Sequence, residues 1–258
     1  MPRNLVALRQ SPDWENFDLE SSRTFLRRVG LDENLIIDFV AIWDVDFNIP
    51  YRAFRSLMKG LALRNHSLVR GAEQADAYEL DPNGWDPADR VAFVDDDDWF
   101  SPALFEAVPN PISEDVIVWG NCRLGKAFSD PSSIDHQGIF NKRPIDGRIW
   151  TNNYAVSGKS VSTFGLPAIT EHGGADVVFA DRRSKQLRDD YLSCTVKHPC
   201  STMFVKHYMR SPDFRRDPSR VVMGFVGEVM ECQPDADLAW MAPDLEAFRT
   251  ILAELKPR

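Results

Sequence analysis

The stretch "RVAFVDDDDWFSPALFE", residues 90–106, constrains the fold more than any other part of the chain. Five residues, Arg90 to Val94, form a short, almost wholly apolar run, as in a strand covered on both faces. Four consecutive aspartates, Asp95 to Asp98, follow without a spacer. A buried strand cannot carry four adjacent like charges through a core, so the strand ends at a sheet edge, where the carboxylates either form a solvated surface loop or meet polar partners or a cation. Ser101 and Pro102 then read as the N-cap and first turn of a helix through "SPALFEAV".

The residues before this motif alternate in period. "NLVAL", 4–8, reads as a strand, and "DLESSRTFLRRVG", 18–30, as a helix closed by Gly30. "NLIIDFVAIWDVD", 34–46, reads as a doubly covered strand. "YRAFRSLMKGLALR", 51–64, reads as an amphipathic helix, and "HSLVRG", 66–71, as a short third strand. "ADAYELDPNGWDPAD", 75–89, is turn-rich. Alternating strands and helices predict an α/β fold with a mostly parallel central sheet flanked by helices. Such sheets bind ligands beyond the carboxyl ends of their strands, which is where the aspartates fall.

The second half is less regular. Strands are predicted over 115–124, 151–158 and 191–207, and a polar loop or hairpin over 132–150. A helix is predicted over 174–190, and an amphipathic closing helix over 243–256 with Leu245, Phe248, Ile251 and Leu252 inward. With no linker visible, the 258 residues read as one domain, with a regular first half to about residue 110 and an elaborated second half, with the closing helix, from 111.

The formal net charge of −9 disfavours nucleic acid and anionic membranes as partners. No stretch approaches the roughly 20 apolar residues of a membrane span, and the N-terminus lacks a signal-type apolar region. Cys122, Cys194, Cys200 and Cys232 form no C-x-x-C pair and read as reduced thiols. Together these features lead us to expect a cytoplasmic protein without membrane insertion.

Three metal-binding chemistries suit four aspartates after a strand. An EF-hand loop running from Asp95 to Glu106 is ruled out by Phe100 at its sixth position, where the turn needs glycine, and by the strand that precedes it. A phosphohydrolase with an aspartyl nucleophile is the second, although its motif normally opens the domain. The third is the aspartate motif of nucleotide-sugar enzymes. "VAFVDDDDWFSPALFE" resembles the strand, D-x-D-D, aromatic and proline-before-helix stretch of family 2 and related glycosyltransferases of GT-A fold, and the order of elements up to residue 110 is similar.

That resemblance implies a transfer of sugar from a nucleotide-sugar, UDP-sugar by the family's habit, to an unknown acceptor, with Mn²⁺ or Mg²⁺ as cofactor. It implies Asp97 as a metal ligand, Asp95 on the ribose or the metal, and Asp96 and Asp98 beside them. Relatives often add a late histidine to the metal, for which His198 and His207 are the candidates. Asp44 and Asp46 stand where relatives bind the uracil edge, and "DVD" is itself a second D-x-D. Arg9 and Arg70 are candidates for the base or phosphate, and Asn152, Asn153 and Tyr154 for the sugar or acceptor.

A catalytic carboxylate is expected near "ITEHGGADVVF", where Glu171 and Asp176 stand. Charge at a helix start would account for the same residues. The glutamate–aspartate pair usual at this place is missing, so the resemblance fixes neither an inverting nor a retaining course. Its absence also motivates a rival reading, a nucleotide-sugar-binding protein of GT-A fold without turnover.

Overall fold

A computed structural model describes residues 1–9, 61–76, 80, 84–110, 112–125, 140–150, 152–164, 180–196, 229 and 231–254. For Arg9, Asp76 and residues 251–254 it describes the backbone alone. Expectations for the segments 18–30 and 34–46, for 51–60 and for 197–207 lie outside these residues.

The protein is α/β. Its strands are β1 (Asn4–Arg9), β2 (Ala72–Asp76), β3 (Arg90–Asp95), β4 (Trp99–Phe100), β5 (Val116–Leu124), β6 (Phe140–Lys142), β7 (Tyr154–Ser157) and β8 (Lys185–Val196). They form one sheet in the order β2-β1-β3-β7-β5-β8-β4, with β6 beside the far end of β5. β1 pairs in parallel with β2 and with β3, and β5 with β8. β7 runs antiparallel between β3 and β5. The sheet is therefore mixed rather than mostly parallel as the strand–helix alternation predicts. The reason is local: the chain re-enters at Tyr154 through a turn and fills the gap between two like-directed strands. β1, β2, β3, β5 and β8 still share one direction, so their carboxyl ends lie along one edge.

The apolar runs are continuous because both faces are covered. Leu5, Ala7, Val91, Phe93, Val116, Val118, Tyr154 and Val156 pack on one face with Val161 of the helix Gly158–Phe164. Val6, Leu8, Ala92, Val94, Ile117 and Ala155 pack on the other with Phe100, Trp119 and the short helix Leu104–Ala107. Successive residues of each strand thus feed opposite layers, as the two-residue period requires.

Three local expectations differ from the structure. Residues 66–71 are not a strand: helix covers 61–68, and a turn with Gly71 at φ 65° leads into β2. Asn65 and His66, polar residues that are fully buried, lock that helix end in place. The helix expected over 174–190 gives way at Lys185 to β8, whose first half is a charged strand half-open to solvent and mimics a solvated helix in pattern. Ser101 opens a turn, accepting from Leu104 N–H on its carbonyl (3.0 Å) and from Ala103 N–H on its hydroxyl (3.3 Å), while the helix proper has Ala103 at its N-cap.

The amino edge is closed by buried charge. Asp89 accepts from the Arg3 backbone N–H (2.6 Å), the Arg3 guanidinium (2.7 Å) and Asp86 N–H (2.9 Å). Arg90 donates to Asn4 (2.8 Å) and to the carbonyls of Phe105 (3.0 Å) and Val108, satisfying the end of the short helix. Gly158 N–H donates to the Asp89 carbonyl at 2.8 Å, and a Cβ on Gly158 would stand 1.9 Å from the Asp86 carbonyl oxygen. No side chain fits there without moving backbone. Gly158→Ala is expected to cost at least about 1–3 kcal/mol of stability, against less than about 0.5 kcal/mol for the neighbouring surface change Lys159→Ala. Urea unfolding of the two variants checks this, and equal midpoints would contradict it.

Candidate functional site

The four aspartates occupy a tight turn between β3 and β4. Asp95 ends β3, and Asp98 N–H returns to the Asp95 carbonyl at 3.2 Å, so Asp96 and Asp97 form the corner. β4 then runs antiparallel to β8, pairing Trp99 with Cys194 and Phe100 with Ser193. This geometry divides the charges. Asp95, Asp96 and Asp97 are half-buried at the carboxyl edge of the sheet, while Asp98 turns inward and is fully buried.

Asp98 is held by protein donors. Its Oδ1 accepts from Val196 N–H at 2.7 Å, and its Oδ2 from the Asn152 amide at 3.0 Å. Its carbonyl accepts from His66 Nε2 at 2.8 Å, which fixes the protonated nitrogen of that ring. The Asn152 carbonyl oxygen accepts from Asn121 (2.7 Å) and from Thr195 Oγ1 (3.2 Å). Asn121 also donates to Ser193 Oγ at 3.1 Å, and Trp119 Nε1 donates to the same hydroxyl at 3.0 Å. A buried polar network thus ties β5, β7 and β8 to the aspartate turn. Low surrounding polarity strengthens each bond and makes the loss of any member costly.

Asn65 clamps the next residues. Its amide donates to the Phe100 carbonyl (2.9 Å) and to Asp244 (2.8 Å), and its oxygen accepts from Phe100 N–H (2.6 Å). Asp244 stands in the first turn of the closing helix Ala242–Glu254, whose Leu245 and Phe248 are buried as the sequence pattern predicts. Burial raises the Asp244 carboxyl above its ordinary value.

The other expected site residues divide. Arg9 ends β1 and is the register partner of Asp95, so its backbone belongs to the same edge. Arg70 is not brought there. It precedes β2 at the amino edge, largely exposed and ion-paired with Glu106. Asn152, Asn153 and Tyr154 face inward rather than toward a cleft. Asn153 donates to the carbonyls of Trp119 (3.1 Å) and Arg148 (3.0 Å), and Tyr154 stacks on Phe93 with ring centres 5.9 Å apart. Asp44, Asp46, Glu171, Asp176, His198 and His207 lie outside the described residues. Among the described residues, no three His, Cys, Asp or Glu side chains gather to form a metal site by themselves.

Sequence reasoning missed Asn121, Thr195, Arg123 and Arg143 around the turn. The available signal was polar residues interrupting otherwise apolar strands near their carboxyl ends, "GNCRL" on β5 and "SCTV" on β8.

His66 gives this region a pH signature. Burial, the largest influence, pushes its pKa from 6.5 down to about 4, against the raising effects of the Asp98 carbonyl and the Asp97 charge. A pKa lower in the folded state means that the unfolded chain binds the proton first. Stability is therefore lost as pH falls from about 6.5 to about 4. Between pH 7 and 5 the loss from this group is about 2 kcal/mol. His66→Gln keeps a donor for the Asp98 carbonyl and is expected to remove that share, as unfolding free energies at the two pH values check. An identical pH dependence in variant and wild type would refute the account.

Asp98→Ala strands the Asn152 amide and the Val196 N–H, and about 2–4 kcal/mol of destabilisation is expected from losing a buried, hydrogen-bonded charge. Asp97→Ala at the half-buried corner is expected to cost under about 1 kcal/mol. Denaturant unfolding distinguishes the two, and comparable losses would contradict the division of roles. No protein-family model and no curated protein matches the chain.

Proposed function

We propose that the chain is a metal-dependent glycosyltransferase of GT-A fold that takes its sugar from a UDP-sugar and passes it to an acceptor not yet known. One observation carries the reading: Asp95, Asp96 and Asp97, half-buried, follow one another on a turn at the carboxyl edge of the sheet, tied to the core by the buried Asp98. That edge is where α/β sheets take ligands.

The donor set suits the metal. Mg²⁺ and Mn²⁺ are hard cations commonly bound by one or two carboxylates together with substrate phosphates, and need no complete protein cage. Asp97 and Asp95 would hold the ion. Asp98, turned inward and bonded to Val196 and Asn152, would act by positioning the turn. Bound there, a divalent cation would offset the negative charge that gathers on a departing nucleoside diphosphate. The remaining tasks fall to the chain: Asn152 and Asn121 keep the turn at the edge, and His66 fixes its backbone from below. His198, which follows Val196 by two residues, and His207 are the candidates for a nitrogen ligand, and Glu171 or Asp176 for the base that takes the acceptor proton.

The missing glutamate–aspartate pair favours a second reading, a nucleotide-sugar-binding protein without turnover. Release of UDP from a panel of UDP-sugars in Mn²⁺ distinguishes the two, since binding without release is expected only of the second. Asp97→Ala is expected to weaken Mn²⁺-dependent UDP binding at least tenfold by calorimetry. Unchanged affinity would refute both readings, and release of inorganic phosphate from simple phosphate esters would favour a phosphohydrolase instead.

A further inference from the structure

Two arginines lie beside the aspartate turn with no part in the reading above. Arg123 is the penultimate residue of β5, and Arg143 lies one residue past β6. Arg123 pairs in register with Asn141, and Arg143 N–H donates to the Asn121 carbonyl at 2.9 Å. Opposed residues of antiparallel strands share a face, so both arginines stand on the face of Asn121, where the buried network meets Asp98. The Arg143 guanidinium lies over the Trp150 ring, 3.8 Å from its centre. Tyr191 passes across Gly120, where a Cβ would come within 2.7 Å of its ring, and its hydroxyl donates to the Arg143 carbonyl at 3.2 Å. The backbone carrying Arg143 is thus fixed.

Half-buried cations at close quarters are costly unless an anion joins them. Each of the two feels the charge of Asp98, and Arg143 is pushed down to about 10 by burial first and by Arg123 second. Asp98 also accepts from Val196 and Asn152, so its charge is shared among several donors. Two further donors in this region, Arg123 Nε and Trp150 Nε1, are buried and find no hydrogen-bond partner among the described residues. Buried donors without acceptors are rare and call for a missing partner.

We propose that Arg123 and Arg143, with Trp150 beneath, form a binding site for an oxyanion, a phosphoryl or carboxylate group, beside the aspartate turn. Guanidinium groups present planar forks of N–H donors that match such groups. Stacking on Trp150 holds the plane of Arg143 and leaves its in-plane donors for the ligand. The site needs no metal, so its binding is measurable without one. Its ligand is either the diphosphate of a nucleotide or a carboxylate borne by a sugar or acceptor.

Calorimetry of the full chain in EDTA, with pyrophosphate and with glucuronate as probes, tests it. Saturable binding of at least one probe is expected, weakened at least tenfold in Arg123→Gln and in Arg143→Gln but not in the surface variant Lys159→Ala. Preference for pyrophosphate assigns the site to a nucleotide, and preference for glucuronate to a sugar or acceptor carboxylate. Absence of saturable binding by wild type, or wild-type affinity in both glutamine variants, would overturn the proposal. Should a glutamine variant unfold, Arg143→Lys decides: it keeps the charge and loses the fork, and wild-type affinity in it would overturn the site. Mn²⁺-dependent UDP binding measured on the same samples reports separately, so its absence beside intact anion binding refutes the sugar-donor reading alone.

Discussion

The inward turn of one carboxylate organises this structure. Four adjacent aspartates repel, and a sheet edge offers only two remedies: solvent or positive partners. Here Asp98 takes a third course and becomes an acceptor inside the core, bonded to the end of β8 through Val196 and to the start of β7 through Asn152. Its removal from the cluster lowers the charge density left at the surface. It also joins strands distant in sequence, so the position of Asp95 to Asp97 is set by packing rather than by the flexibility of a loop.

From this anchor the arrangement of the carboxyl edge follows. β7 stands between β3 and β5 because Asn152 and Asn153, just before it, bond to the aspartate turn and to the β5 backbone. β5 in turn brings Asn121 and Arg123 to the same edge, and the chain past β6 returns Arg143 over Trp150. Negative and positive groups meet across a few residues of buried amide and hydroxyl.

Much of the scaffold was legible in the sequence, and the reason lies in burial. β1, β3 and β5 are covered on both faces, so their apolar runs are unbroken, and the closing helix shows Leu245 and Phe248 at helical spacing. The turn after β3 was legible because aspartates have few other places to go. Sheet direction was not: nothing in "TNNYAVSG" says whether β7 runs with or against its neighbours, since that depends on partners far along the chain. The first half of β8 misled through its charges, because a strand open to solvent carries the polar residues of a surface helix. The roles within the aspartate quartet and those of Asn152 and Asn153 were equally hidden. Polar side chains near a strand end read the same whether they face a ligand or close a core.

The pairing of β1 has a consequence for how the chain reaches this state. Asn4 is flanked by Ala72 on one side and Arg90 on the other, and β3 in turn awaits β7. During synthesis the first strand emerges with both of its hydrogen-bonding edges bare and stays so until most of a hundred later residues exist. Assembly of the sheet is thus dominated by distant rather than neighbouring segments, a topology that folds slowly. An exposed apolar "NLVAL" in that interval is a segment on which a chaperone would act, and one prone to pair with another copy if none does.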